Sequence, residues 1–266
     1  MNELVFVKLG GSLITEKDKP RTPRLEILDR LASEIFSARS VNPELKILLG
    51  HGSGSFGHQS ANRHQTRLGV SSIDQWMGFI EVWRDARALN QIVLETMQRA
   101  GLPILSFPPS ACATTVDHRV KDWNTIPINS ALDHNLIPLL QGDVVFDSQI
   151  GGTILSTEEI FQYLAPVFQP TRILLAGLEP GIWADFPACT RLISKMAKND
   201  VKSLGANLSS SSSVDVTGGM AEKVKIMFDL IDQTPNLEVS IFSGLEEDAL
   251  LSALTGSHPG TTLSLN

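Results

Sequence analysis

The residues that could do chemistry are three lysines, an aspartate and a histidine, each set beside glycine. Lys8 lies at the end of the apolar run Leu4-Val5-Phe6-Val7-Lys8-Leu9; Gly10-Gly11-Ser12 follow, and then Lys17. His58 closes Gly50-His51-Gly52-Ser53-Gly54-Ser55-Phe56-Gly57-His58, Asp143 follows Gln141-Gly142, and Lys223 follows Gly218-Gly219 by about one helical turn. Glycine has no Cβ and tolerates positive φ, so such turns bring backbone N–H groups close to a bound anion. A lysine at a strand's carboxyl end can aim its ammonium at the same anion, and a helix N-terminus receives phosphate oxygens. The pattern points to the positioning and neutralising of phosphate. Each piece also has a plainer reading on its own. The Gly/Ser cluster is also what a tight turn needs, Lys8 could snorkel from a strand end, and Asp143 could be a capping or surface residue.

Neither glycine-rich turn is a Walker A loop, because no Gly-Lys-Ser/Thr ends it, and neither fits a dinucleotide fingerprint with its acidic ribose ligand. His51, His64, His118, His134 and His258 lack metal-ligand spacing, so no metal site is expected and they read as polar or core residues. Cys112 and Cys189 provide no disulfide framework and read as reduced thiols. Lysine and arginine number 22 against 29 acidic residues, a formal charge of −7, which argues against general binding of nucleic acid or an anionic membrane. No secretory n-region and h-region opens the chain, and no apolar run approaches the ~20 residues of a bilayer span. A cytoplasmic protein is the expectation. Its 42% hydrophobic and 19% charged residues are ordinary globular usage.

The elements that must carry these residues alternate strand and helix. Leu4–Leu9, Leu45–Leu49, Leu102–Phe107, Ile137–Leu140, Arg172–Ala176, Val239–Phe242 and Gly260–Leu263 read as strands, several of them continuous apolar runs suited to burial on both faces. Arg24 to Arg39 reads as an amphipathic helix with Leu25, Leu28, Leu31, Ile35 and Phe36 inward. Ile73 to Arg99 reads as one long helix or a broken pair, and His58 is expected where its own loop turns into the next helix. Val144–Phe146 and Thr153–Leu155 suggest a hairpin, Asp117–Trp123 is charged and unassigned, and Thr157-Glu158-Glu159 opens a helix by its capping pattern. Ser130–His134 and Glu246–Leu254 read as further helices, and Ser209–Ser213 as a polar loop. No repeat or long linker divides the chain.

Four of these segments in register, Lys8-Leu9-Gly10-Gly11-Ser12 with Lys17, His51–His58, Gly142-Asp143-Val144-Val145 and Asp215–Lys223, resemble the amino acid kinase superfamily. Within it they are similar to the isopentenyl phosphate kinases, over most of the chain and in the right order. The resemblance implies a three-layer αβα sandwich with a mostly parallel central sheet. Residues 1–170 would form the phosphate-acceptor lobe and 171–266 the ATP lobe, on one continuous sheet and usually in a homodimer. It implies ATP with Mg²⁺ as cofactors, and a small phosphate as acceptor. Lys8 and Lys17 would contact the transferring phosphoryl group, and Lys223 the ATP phosphates. Asp143 would hold the lysines, and His58 would hydrogen-bond the acceptor phosphate beside Ser53 and Gly54. Gly10, Gly11, Ser12, Gly54, Gly218 and Gly219 would line the phosphates. Trp76, Phe79, Ile80 and Trp83 are candidates for an apolar acceptor pocket. The function implied is phosphorylation of isopentenyl phosphate. The alternatives are a kinase of another phosphate or phosphonate such as fosfomycin, or a nucleotide-binding protein that has lost turnover. Three departures stand out: Ser53 replaces a family glycine, Leu155-Ser156-Thr157-Glu158 stands where Ile-Ser-Gly-Asp is usual, and Gly177–Ile182 lacks both aspartates of the usual nucleotide loop.

Overall fold

The computed structural model describes residues 3–200, 219–234 and 236–265. Strand β1 (Leu4–Leu9) is buried throughout, as a strand covered on both faces must be. It pairs in parallel with β2 (Lys46–His51) on one side and β9 (Arg172–Gly177) on the other. The eight-stranded sheet has the order β12-β14-β13-β9-β1-β2-β6-β3. Its other strands are β3 (Ile104–Ser106), β6 (Ile137–Gln141), β12 (Lys195–Ala197), β13 (Glu238–Ser243) and β14 (Thr261–Ser264). Every pair is parallel except β13 with β14.

Alternation along β1 divides the core into two layers. Val5, Val7 and Leu9 pack with α2 (Leu25–Val41), α4 (Ile73–Arg99) and α9 (Ala249–Leu254). Leu4 and Phe6 pack with α6 (Ile126–Asp133), α7 (Thr157–Phe168) and α8 (Gly219–Gln233). Helices therefore cover both faces of one sheet, the expected three-layer sandwich. In α2 the buried apolar positions are Leu28, Leu31, Ala32, Ile35 and Ala38, at helical spacing. Leu25 and Phe36, counted above with that face, stay about half exposed at its edge.

The short α1 (Gly11–Ile14) follows β1, and α3 (Gly54–His64) follows β2. The helix α3 starts at Gly54, so His58 stands inside it rather than in the loop. The long helix α4 is continuous and opens with a capping box between Ser72 and Gln75. An accessory sheet, β5-β4-β7-β8, comprises β4 (Ala113–Val116), β5 (Arg119–Trp123), β7 (Asp143–Asp147) and β8 (Gly151–Leu155), entered through α5 (Pro109–Cys112). The expected hairpin is β7 with β8. The unassigned Asp117–Trp123 segment forms a second hairpin, β4 with β5. Its turn residues Asp117 and His118 take positive φ without glycine, and the Asp147 carboxylate accepts from both of their backbone N–H groups. A two-stranded ribbon, β10 (Ile182–Trp183) with β11 (Leu192–Ile193), follows β9.

Phe6 is fully buried and its ring lies 5.1 Å from that of Phe161, so Phe6 joins the central strand to α7. Phe6→Ala should lower stability by about 3–5 kcal/mol in urea unfolding, whereas Ile126→Ala, at an exposed site, should stay within about 0.5 kcal/mol.

Candidate active site

Parallel pairing aligns the strand ends at one edge of the sheet. Lys8 sits opposite Gly50 and Leu175, and Leu9 opposite His51 and Ala176. The loops leaving that edge are tied together by backbone bonds: Gly10 N to Ala176 O (2.8 Å), Gly52 N to Leu9 O (3.1 Å) and Gly142 N to His51 O (3.0 Å). The two glycine turns press on one another. A Cβ on Gly11 would lie 2.5 Å from Gly54 N, which leaves no room for any side chain. Gly54 adopts φ +48° against Thr15, whose hydroxyl accepts from Ser55 N (2.9 Å). Both turns therefore present backbone close to whatever occupies this edge.

Lys8 is 9% exposed, and its ammonium forms an ion pair with Glu158, which is 3% exposed. Burial pushes the Glu158 carboxyl up, but the ammonium groups of Lys8 and Lys223 outweigh it and hold the group below the ordinary range. Glu158 thus pairs with Lys8 of β1 and feels the charge of Lys223 from α8. It lies in the first turn of α7, where a carboxylate also suits the helix dipole. Asp143, expected in this role, does something else. It is almost fully buried, and its oxygens accept from Ser110 N (3.2 Å) and Val144 N (2.9 Å). The carboxylate paired with Lys8 is that of Glu158, because the first turn of α7 faces the end of β1.

The substituted segment Leu155-Ser156-Thr157-Glu158 fits its surroundings. Ser156 caps α7 through a capping box with Glu159. The Thr157 hydroxyl donates to His51 O (2.7 Å), and its methyl group uses space left by Gly50, where a Cβ would lie 2.6 Å away. His51 itself is fully buried, with Nδ1–H donating to Gly52 O (3.0 Å) and Nε2 lying 3.0 Å from the Asn90 side chain. Burial pushes its pKa down, consistent with its reading as a core histidine.

His58 is half-buried and faces a small, mainly apolar cavity of about 30 Å³. Ser53, Gly57 and Ala61 line it from α3 and its N-cap, Val82 and Ala86 from α4, and Ile154 from β8. Gly142, Asp143 and Arg67 complete the wall. His58, Ser53 and Asp143 are therefore brought together. Sequence reasoning missed Arg67, which pairs with Glu159 through two bonds (2.6 and 2.9 Å) and donates to Ile154 O (2.6 Å). None of the four apolar candidates on α4 lines this cavity, although Phe79 shares a buried cluster with Val82. Ile80 is about half exposed, and Trp76 and Phe79 pack against Phe146 instead.

Ser12 and Lys17 are exposed, Ser12 in α1 and Lys17 in the loop after Thr15. Gly219 begins α8, while Gly218 lies outside the described residues. In the altered nucleotide loop, Glu179 accepts from the Trp183 indole (3.1 Å), and Ile182 N donates to the Thr261 hydroxyl (2.8 Å). Among the described residues no cluster of three His, Cys, Asp or Glu side chains forms a metal site, and no helix is long and apolar enough to cross a membrane.

Burial raises the Asp143 pKa to about 6, against the opposing hydrogen bonds from Ser110 and Val144. Between the unfolded and folded pKa values the native state then binds the extra proton, so this group's contribution to stability falls as pH rises. Wild type should lose about 2 kcal/mol relative to Asp143→Asn between pH 4 and pH 7, read from paired urea titrations.

Comparison with known proteins agrees with this geometry. Residues 3–243 match the model of the amino acid kinase family. The isopentenyl phosphate kinase of Methanocaldococcus jannaschii is 32% identical over 272 residues, covering 99% of both chains. That of Methanothermobacter thermautotrophicus is 28% identical over 275 residues, covering 96% of this chain and all of the relative. A solved isopentenyl phosphate kinase structure superposes with a TM-score of 0.82 at 24% identity, over 98% of this chain and 100% of the other. Fold, edge geometry and full-length similarity agree: the chain belongs to the amino acid kinase family.

Proposed function

We propose that this protein transfers the γ-phosphoryl group of ATP to isopentenyl phosphate, giving isopentenyl diphosphate and ADP. The observation that carries the reading is the placement of the His58 cavity, apolar along α4 and β8, at the same sheet edge as the Lys8–Glu158 pair. Full-length similarity to kinases of that name supports the choice of acceptor. An oxygen of the acceptor's phosphate forms the new bond to the γ-phosphorus, and the bond to the β,γ-bridging oxygen breaks with ADP as leaving group. That oxygen is already ionised or nearly so near neutral pH, so the site needs positioning and charge neutralisation more than a strong base.

Residues 1–170 supply the acceptor side and 171–266 the nucleotide side in this reading. Lys8 and Lys223 neutralise the transferring group and the ATP phosphates, and Glu158 fixes both ammonium groups. Lys17 approaches from its loop, while His58 donates to the acceptor phosphate beside the Ser53 and Gly54 backbone. Gly10, Gly11, Ser12, Gly218 and Gly219 belong to the phosphate cradle. Magnesium arrives with ATP, held mainly by phosphate oxygens. We read the enzyme as cytoplasmic and homodimeric, and light scattering on the purified protein tests the assembly.

Coupled ADP release should be fast with isopentenyl phosphate and slow with fosfomycin, UMP, glutamate and carbamate. Turnover of one of the others with none on isopentenyl phosphate would replace this reading, and nucleotide binding without turnover on any of them would point to a non-catalytic protein. His58→Ala should lower acceptor kcat/KM by about 10- to 100-fold and leave the KM for ATP near wild type. Glu158→Gln should lower kcat by about 100-fold, as loss of a preorganised charge does. Unchanged kcat in Glu158→Gln would remove that residue from the mechanism.

A further inference from the structure

Asp85 is 6% exposed, yet the proposed reaction leaves it without a task. It lies on α4 between Val82 and Ala86, the two residues that this helix contributes to the His58 cavity. Its carboxylate reaches Arg21, 3.5 Å away, across the gap to the loop that carries Lys17. A nearly buried carboxylate is costly to desolvate, and its partner determines whether that cost is offset.

The loop is fastened at its base and open at its tip. Glu16 N donates to Thr22 O (2.9 Å), and Arg24 N to Ile14 O (2.8 Å). Arg21 N donates to Ser55 O (3.2 Å), and Thr22 N to the Ser55 hydroxyl (3.4 Å), so the returning limb rests on the first turn of α3. Arg21 takes φ +50°, an uncommon conformation for a residue with a Cβ, and in it the side chain meets α4. Lys17, Asp18, Lys19 and Pro20 remain exposed beyond these contacts. The Arg21–Asp85 pair thus links the loop of one expected phosphoryl-binding lysine to the wall of the acceptor cavity.

We propose that Arg21 and Asp85 form a latch that holds the Lys17 loop over the acceptor side, making both of them positioning residues that act through Lys17. The proposal rests on the phosphotransfer reading above for its kinetic consequence, but not for the latch itself. The pair spans three elements: the loop, the first turn of α3 beneath it, and α4. Loss of either charge loosens the returning limb, with its backbone bonds to Ser55, while leaving both hydrophobic layers in place.

The test has two arms. In the first, amide hydrogen exchange is followed in wild type, Asp85→Asn and Arg21→Asn, the asparagine at position 21 being chosen because it tolerates positive φ. Exchange across residues 16–22 should be about 5- to 10-fold faster in both variants, with the rest of the chain as internal reference. Exchange unchanged in that segment overturns the latch, whether or not the enzyme turns over isopentenyl phosphate. In the second arm, Asp85→Asn should lower kcat about 5- to 10-fold in the wild-type background and have no further effect on Lys17→Ala, because coupled sites are not additive. An equal loss in both backgrounds would make Asp85 a structural residue independent of Lys17 and would overturn its positioning role. Absence of any turnover by wild type would refute the phosphotransfer reading instead, leaving the exchange result to decide the latch.

Discussion

The structure depends on the buried ion pair between Lys8 and Glu158. Neither group would be placed in the interior for stability alone, because desolvating two charges costs roughly what their attraction returns. Once formed, the pair is hard to dismantle: removing one partner from such a site typically costs about 3–5 kcal/mol, since the other charge is left buried and uncompensated. Its value lies in position. Lys8 comes from the central strand, Glu158 from the first turn of α7, and Lys223, whose charge also acts on Glu158, from α8. One carboxylate from α7 therefore pairs with the ammonium of β1 and lies within the field of a second from α8.

That arrangement requires the parallel sheet. With β1 held between β2 and β9 in parallel register, their carboxyl ends and the loops after them must emerge together. The sheet buries β1 on both faces and leaves its end as the place where a polar residue can meet a ligand. Two glycine turns packed backbone to backbone fill that end without side chains. The helix that follows β2 then presents His58 toward a cavity bounded by Val82 and Ala86. The glycine turns and the apolar cavity are adjacent because consecutive elements, from β1 to α4, put them there.

How much of this was legible depended on whether the signal was local. The strand ending in Lys8, the glycine turns and His58 lie within short stretches whose residue types state their own geometry. Glu158 was harder, because Ser156-Thr157-Glu158-Glu159 already has a complete local explanation as a helix cap. Only Glu159 makes that cap; Glu158 is turned toward a strand 150 residues earlier in the chain. The retained acid at the fourth position of the altered Ile-Ser-Gly-Asp segment was the available clue. Asp143 has the expected place at a strand's carboxyl edge, but its oxygens are occupied by backbone N–H groups, which a sequence does not reveal. On α4 the large aromatics drew attention, while the cavity is lined by the smaller Val82 and Ala86 of the same helix. The Asp117–His118 turn was missed because its positive φ values are stabilised from Asp147, thirty residues away, rather than by glycine.

The central claim is that Glu158 organises the lysines at the point where acceptor and nucleotide meet. A crystal structure with isopentenyl phosphate and a non-hydrolysable ATP analogue tests it most directly. The account predicts Lys8 in contact with both Glu158 and a phosphate oxygen, Lys223 on the nucleotide phosphates, and the acceptor phosphate beside His58. Lys8 paired with Asp143 instead, or an acceptor phosphate bound away from His58, would contradict it.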